Sequence, residues 1–173
     1  NHAFLSYLLR FYSGHKVAAF LGEPNIKGRF FYNSDLSGFN FTQLDTSLQQ
    51  LSEKLEELSV VSDAPALYMG STNLDHWLPG LSSENTLPLS LSDPLASLWL
   101  GNRSTVAAHF DYPANIACCV SGRRQFTLFP PEQIENLYIG PWDLTPAGQP
   151  VSLVDIKEPD LAQFPVFAQA LEA

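Results

Sequence analysis

Leucines at positions 44, 48, 51, 55 and 58 recur at steps of 4, 3, 4 and 3, the spacing at which one side of a helix returns. Gln49, Glu53, Lys54 and Glu57 fill the intervals. The segment therefore predicts an amphipathic helix with a leucine stripe turned to a core and a polar face turned to water. Phe4 to Phe11 predicts the end of another helix, closed by Ser13-Gly14. Elsewhere short apolar runs replace that period. Val17–Leu21 (VAAFL), bounded by Gly22 and Pro24, predicts a strand, as do Arg29–Tyr32 (RFFY) and Ala66–Met69 (ALYM). Gly38-Phe39-Asn40 reads as a loop, and so does the Ser-, Pro-, Leu- and Asn-rich stretch from Asn73 to Pro94.

From Leu95 onward β signals dominate. SLWLG, TVAAHFD, NIACCVS and RRQFTLFP follow one another, broken at Gly101-Asn102, Tyr112-Pro113 and Ser121-Gly122. Short strands about every ten residues with turns between them predict a barrel or sandwich. Ser121-Gly122, between two such runs, predicts a hairpin. Pro131–Leu137 predicts one or two helical turns with proline at the start, and Val151–Val154 a strand. Asp160 to Leu171 predicts a helix with Asp160 as its cap and Pro165 interrupting it. With no repeat and no linker, residues 1–173 read as a single domain: 1–94 an extension with the first strands, 95–173 a barrel core.

Composition narrows the classes. A hydrophobic fraction of 45%, with twelve Phe, six Tyr and three Trp, excludes a disordered chain. Thirteen Pro and ten Gly favour many turns over a helix bundle. A net charge of −9 with nine scattered Lys and Arg excludes a nucleic-acid surface, which needs clustered cations. The acidic balance otherwise serves solubility. No apolar run approaches the roughly 18–20 residues of a membrane span, so no membrane partner is expected. The opening segment lacks a basic region and a cleavage site, and it has no initiator Met; the chain is expected to begin inside a longer one. Cys118 and Cys119 are adjacent and poorly placed to bridge each other, which favours a reduced, cytoplasmic compartment. Two glycosylation sequons, at Asn40 (NFT) and Asn102 (NRS), need a secretory route to matter.

The chemistry-bearing stretch is WLGNRSTVAAHFDYPANIACCVSGRRQFTLFPP, Trp99 to Pro131. His109-Phe110-Asp111 is an H-x-D. On an extended segment residues i and i+2 share a side, so an imidazole and a carboxylate can converge on one ion. Two His and one carboxylate in a facial arrangement suit non-haem Fe(II), leaving positions open for a co-substrate and O₂. The alternative is a strand-end His hydrogen-bonded to a nearby Asp.

The whole stretch resembles the cupin-like JmjC hydroxylases, the group that includes the asparaginyl hydroxylase of hypoxia-inducible factor. The likeness rests on Gly101-Asn102, Thr105, His109, Phe110, Asp111, Asn115, Gly122, Arg124, Leu128, Phe129, Pro130 and Pro131, in that order. Upstream, Ala66–Thr72 (ALYMGST) resembles the strand whose tyrosine contacts 2-oxoglutarate, and RFFYNSDLSGFNF resembles the family's N-terminal extension.

The resemblance implies a mostly β fold with an α/β N-terminal extension: a double-stranded β-helix, or cupin/jelly-roll barrel, lacking its C-terminal strands. It implies an Fe(II)- and 2-oxoglutarate-dependent dioxygenase that decarboxylates 2-oxoglutarate to succinate and hydroxylates a protein side chain. His109 and Asp111 would be metal ligands. Arg124, two residues after Gly122, would hold the distal carboxylate of 2-oxoglutarate, with Arg123 turned to the surface; the alternative for Arg124 is an exposed strand cation. Tyr68 would donate its hydroxyl to the same carboxylate, or be a core aromatic with a wet tip. Asn115 would hydrogen-bond near the metal-bound end of the co-substrate, or simply form a turn after Pro113. The partner would be a protein or peptide substrate, and the likeness allows a homodimer of the longer protein.

Two features depart from the family pattern. Its second His follows the carboxylate by a further strand, whereas the other histidines here are His2, His15 and His76, all before His109. The chain is thus expected to end before the third ligand and to be inactive alone, with no catalytic residue beyond the ligand pair. Val106 also stands where a hydroxyl residue is usual, with Thr105 one place earlier. The reading from another class is a non-catalytic cupin-like binding or scaffold module that keeps H-x-D as a relic.

Overall fold

The leucine-striped helix forms where its cap permits rather than where its leucines begin. A computed structural model describes residues 2–173. Helix α2 runs Leu48–Leu58, and Ser47 caps it: the Ser47 hydroxyl accepts from the Gln50 N–H at 3.1 Å while the Gln50 side chain reaches back to the Ser47 N–H at 3.3 Å. This reciprocal box satisfies two donors that a helix start leaves open. Leu44, expected on the stripe, lies instead in strand β3, Phe41–Thr46, and is exposed. The i, i+3/i+4 spacing ran past a boundary that only the cap defines.

The chain folds as two compact units, the first comprising residues up to 28 with 41–104, the second 29–40 with 105–173. The first unit is a helix-backed sheet. Helix α1 (His2–Leu9) and strands β1 (Val17–Gly22), β3, β4 (Ala66–Asn73) and β5 (Ser97–Gly101) form it together with α2 and two single-turn helices, α3 (Leu74–Trp77) and α4 (Leu81–Glu84). The sheet is antiparallel throughout, in the order β3-β1-β4-β5. Alternation along β1 and β4 turns Val17, Ala19, Leu67 and Met69 to one face, where they pack with Leu48, Leu51, Leu55 and Leu58 of α2 and Leu8 of α1. Each such leucine, once buried, contributes about 1.5–3 kcal/mol. Between Met69 and Thr72 the register to β5 slips by one residue, a bulge centred on Gly70-Ser71. Strand β5, expected to open the barrel core, thus pairs within the first unit.

The second unit has little regular structure. Its two-residue strands β2 (Arg29–Phe30) and β6 (Thr105–Val106) pair in parallel. Phe31, Tyr32, Ala107 and Val151 form one small core, with Leu144 and Leu153 against it; Val154, Phe167 and Ala170 form another. Arg29 ties the first core together. Its guanidinium lies 3.6 Å from the Phe31 ring centroid, donates to the Leu153 carbonyl at 3.2 Å and stands 3.6 Å from Asp155. Burial lowers the Arg29 pKa and the Asp155 charge raises it again; an arginine stays charged either way. The Tyr32 hydroxyl donates to the Leu144 carbonyl at 2.8 Å, and burial with nearby Asp143 pushes its pKa up.

Several expectations after Leu95 are not met. NIACCVS and RRQFTLFP form no strand, and TVAAHFD keeps only Thr105–Val106. Every residue from 111 to 128 is exposed. A strand exists through the neighbour that takes its N–H and C=O groups, and no residue among those described pairs with this stretch as a ladder. Val151–Val154 likewise makes a single bridge, Ile139 to Ser152, rather than a strand. The last helix is split: the Asp160 carboxylate accepts from the N–H groups of Ala162 and Gln163, and after Pro165 the helix α5 runs Phe167–Glu172. Pro131–Leu137 winds as a 3₁₀ helix with proline at its start. With the four-stranded sheet in the first unit and two short strands in the second, no closed barrel forms among the described residues.

Candidate functional site

The short segment Thr105–Ala108 is held on both edges, and His109 projects from its end. On one edge Thr105 and Val106 pair with Arg29 and Phe30. On the other, the Ala108 carbonyl accepts from the N–H of the fully buried Ser152 at 2.8 Å. The side chain of Ala107, 7% exposed, sits in the Phe31 core. Its carbonyl accepts from His109 Nδ1 at 2.8 Å. A carbonyl oxygen can only accept, so Nδ1 carries the proton and Nε2 of the neutral ring presents a lone pair.

That lone pair faces Asp111. His109 Nε2 and Asp111 Oδ1 are 3.7 Å apart, with the His109 side chain 24% exposed and that of Asp111 53%. Asn115 donates to the other carboxylate oxygen, Oδ2, at 3.1 Å, which leaves Oδ1 turned toward the imidazole. Asn115, expected near the co-substrate or in a turn after Pro113, thus contacts the carboxylate here. Two facing acceptors of this kind repel unless a proton or a metal ion lies between them. A metal ion there would be held by His109 Nε2 and Asp111 Oδ1, one nitrogen and one oxygen donor that now stand 3.7 Å apart. The pair thus fits two positions of a metal's donor set. Among the described residues no group of three His, Cys, Asp or Glu side chains converges, so a complete facial set is not assembled.

The remaining site residues make other contacts. Arg124 is exposed, its guanidinium 4.6 Å from the ring centroid of Phe126. Without a strand there, the alternation that was to turn Arg124 inward and Arg123 outward has no sheet to act on; both are exposed. Tyr68 belongs to the first unit, on β4 opposite Gly101 and Phe20, half-buried, with its ring 6.4 Å from that of Phe20. Gly101 is required there, because a Cβ would come within 2.7 Å of the Leu67 carbonyl oxygen and 3.2 Å of the Tyr68 Cα. His76 lies in α3 and stacks on His15 with ring centroids 4.5 Å apart, also in the first unit. The residue that sequence reasoning missed is Ser152. Its hydroxyl donates to the Leu137 carbonyl and accepts from the Val154 N–H, fixing the strap that holds Ala108. Only its place in an apolar VSLV run hinted at burial.

The chain matches the cupin-like domain family over residues 1–173 and belongs to it. It is also similar to JmjC domain-containing protein D of Dictyostelium discoideum, 37% identical over 70 residues, 40% of this chain and 15% of that protein. No helix among the described residues is long and apolar enough to cross a membrane.

Proposed function

We propose that the polypeptide carrying this chain is an Fe(II)- and 2-oxoglutarate-dependent dioxygenase that hydroxylates a protein side chain, in the manner of the asparaginyl hydroxylases. The observation that supports this most is the His109–Asp111 pair, whose free Nε2 and Oδ1 face each other with the other end of each side chain tied by Ala107 and Asn115. Family membership and the JmjC relative point the same way. In this reading His109 and Asp111 supply two metal donors, and a residue outside their cluster supplies a third. Bound iron with 2-oxoglutarate would supply the oxidising power. The chain's own part is orientation: Ala107 fixes the imidazole tautomer and Asn115 the carboxylate rotamer. Arg124 and Tyr68 would take the distal carboxylate of 2-oxoglutarate. The protein would act in the cytoplasm on a protein or peptide, with a homodimer as its assembly.

A second reading has its own support. Since two donors rather than three converge, a non-catalytic cupin-like scaffold fits the described residues as well. Succinate release separates the two. The polypeptide, given Fe(II), ascorbate, O₂ and 2-oxoglutarate, is expected to form succinate, and His109→Ala or Asp111→Ala is expected to abolish it. Absence of succinate from the wild-type protein across a broad panel of peptides and proteins favours the scaffold.

A further inference from the structure

Asn40 and Asn102 make the same three hydrogen bonds, one set in each unit. The Asn40 N–H donates to the Phe31 carbonyl at 3.0 Å, its Oδ1 accepts from the Phe31 N–H at 2.9 Å, and its Nδ2 donates to the Arg29 carbonyl at 2.9 Å. The Asn102 N–H donates to the Leu67 carbonyl at 3.1 Å, its Oδ1 accepts from the Leu67 N–H at 2.9 Å, and its Nδ2 donates to the Pro65 carbonyl at 2.8 Å. In both cases the carboxamide spans the C=O of residue j and the N–H of residue j+2, which a residue of a neighbouring strand would otherwise span. The assignment of oxygen and nitrogen is forced, since a main-chain N–H must meet an acceptor and a carbonyl a donor. Both asparagines are half-buried, and both head N-x-[ST] sequons.

We infer that these two sequons are main-chain locks whose acceptor nitrogens are closed to N-glycosylation in the folded protein. Glycan transfer forms a bond from Nδ2 to the anomeric carbon of a lipid-pyrophosphate-linked sugar, expels the lipid pyrophosphate and releases one Nδ2 proton. The product is a secondary amide, planar, with its substituent on the same side as the oxygen. That position is the one now held by the hydrogen that bonds Arg29 or Pro65, because Oδ1 and Nδ2 engage one strand edge together. A sugar there would collide with the strand and leave a carbonyl unpaired. The amide nitrogen therefore serves the fold or a glycan, not both.

Two measurements test this. The native chain and the same chain unfolded in urea are each exposed to a single-subunit oligosaccharyltransferase with a lipid-linked donor, and occupancy is read by intact mass. Occupancy of the native chain is expected to be at least about tenfold lower, the scale of losing one or two hydrogen bonds. Glycan on Asn40 or Asn102 in a chain that keeps slow exchange at the Phe31 and Leu67 amides overturns the inference. If the enzyme works on neither form, stability decides. Asn40→Asp and Asn102→Asp, which lose the donor, should lower the urea midpoint, whereas Thr42→Ala and Ser104→Ala, which erase the sequons but spare the locks, should not. Equal effects of the two kinds of variant, or none from the Asp variants, overturn it as well.

Discussion

Strands β4 and β5 and the stretch from 111 to 128 are alike in composition and opposite in outcome. ALYMGSTN and SLWLG each carry a short apolar run, and so do NIACCVS and RRQFTLF. The first two pair with each other, and β4 pairs also with β1, so that Leu67 and Met69 are buried on the face toward α2. The latter two leave Val120, Phe126 and Leu128 exposed, at 73%, 56% and 85%. β propensity describes how well a side chain suits a pleated, half-covered surface; it does not supply the surface. In the first unit α2 supplies it. In the second, hydrophobic burial concentrates in the small Phe31 and Phe167 clusters, and among the described residues no strand ladder forms along the intervening chain.

The sharpest way to break this comparison is to shorten one leucine in each region. Leu51, 1% exposed, when changed to Ala should cost about 2–5 kcal/mol, seen as a lower urea midpoint. Leu128→Ala, at an 85% exposed site, should change it by less than about 0.5 kcal/mol. Comparable losses would mean that 111–128 is packed in solution. A smaller difference is expected between two glycines. Gly101→Ala forces a Cβ to 2.7 Å from the Leu67 oxygen, so β4 and β5 must separate, at about 1–3 kcal/mol. Gly122→Ala meets no atom within 4 Å and is opposed only by its φ of +81°, which costs about 1–2 kcal/mol. Amide exchange across β4–β5 should rise in the first variant and stay unchanged in the second.

The smallest effect asks whether the second unit keeps local order without burial. In the loop after Tyr32, the Asp35 carboxylate accepts from the Ser37 hydroxyl at 2.6 Å and the Ser37 N–H at 3.1 Å, and these bonds hold its pKa below the ordinary carboxylate value. A depressed pKa means stabilisation that is present above the unfolded value, about 3.9, and is lost as pH falls through the folded one. Exchange of the Ser37 amide should therefore be constant near neutrality and quicken relative to intrinsic rates in acid. Asp35→Asn should remove that acid dependence while leaving the unfolding midpoint near pH 7 almost unmoved.

Local pattern alone determined much of the first unit. The leucine steps from 48 to 58, the VAAFL and ALYM runs and the SLWLG run each became the element they predict, because in each case burial of one face agrees with local pattern. His109 and Asp111 come within 3.7 Å of each other although neither lies in a strand, so strand alternation by itself does not account for their approach. Pairing is another matter. That Leu44 joins a strand, that Ser152 props Ala108, and that no ladder forms along 111–128 all depend on which residues meet across long separations of sequence. Hydrogen-bond ladders and carboxamide locks are completed by a partner segment, and no property of either segment by itself records whether that partner will arrive.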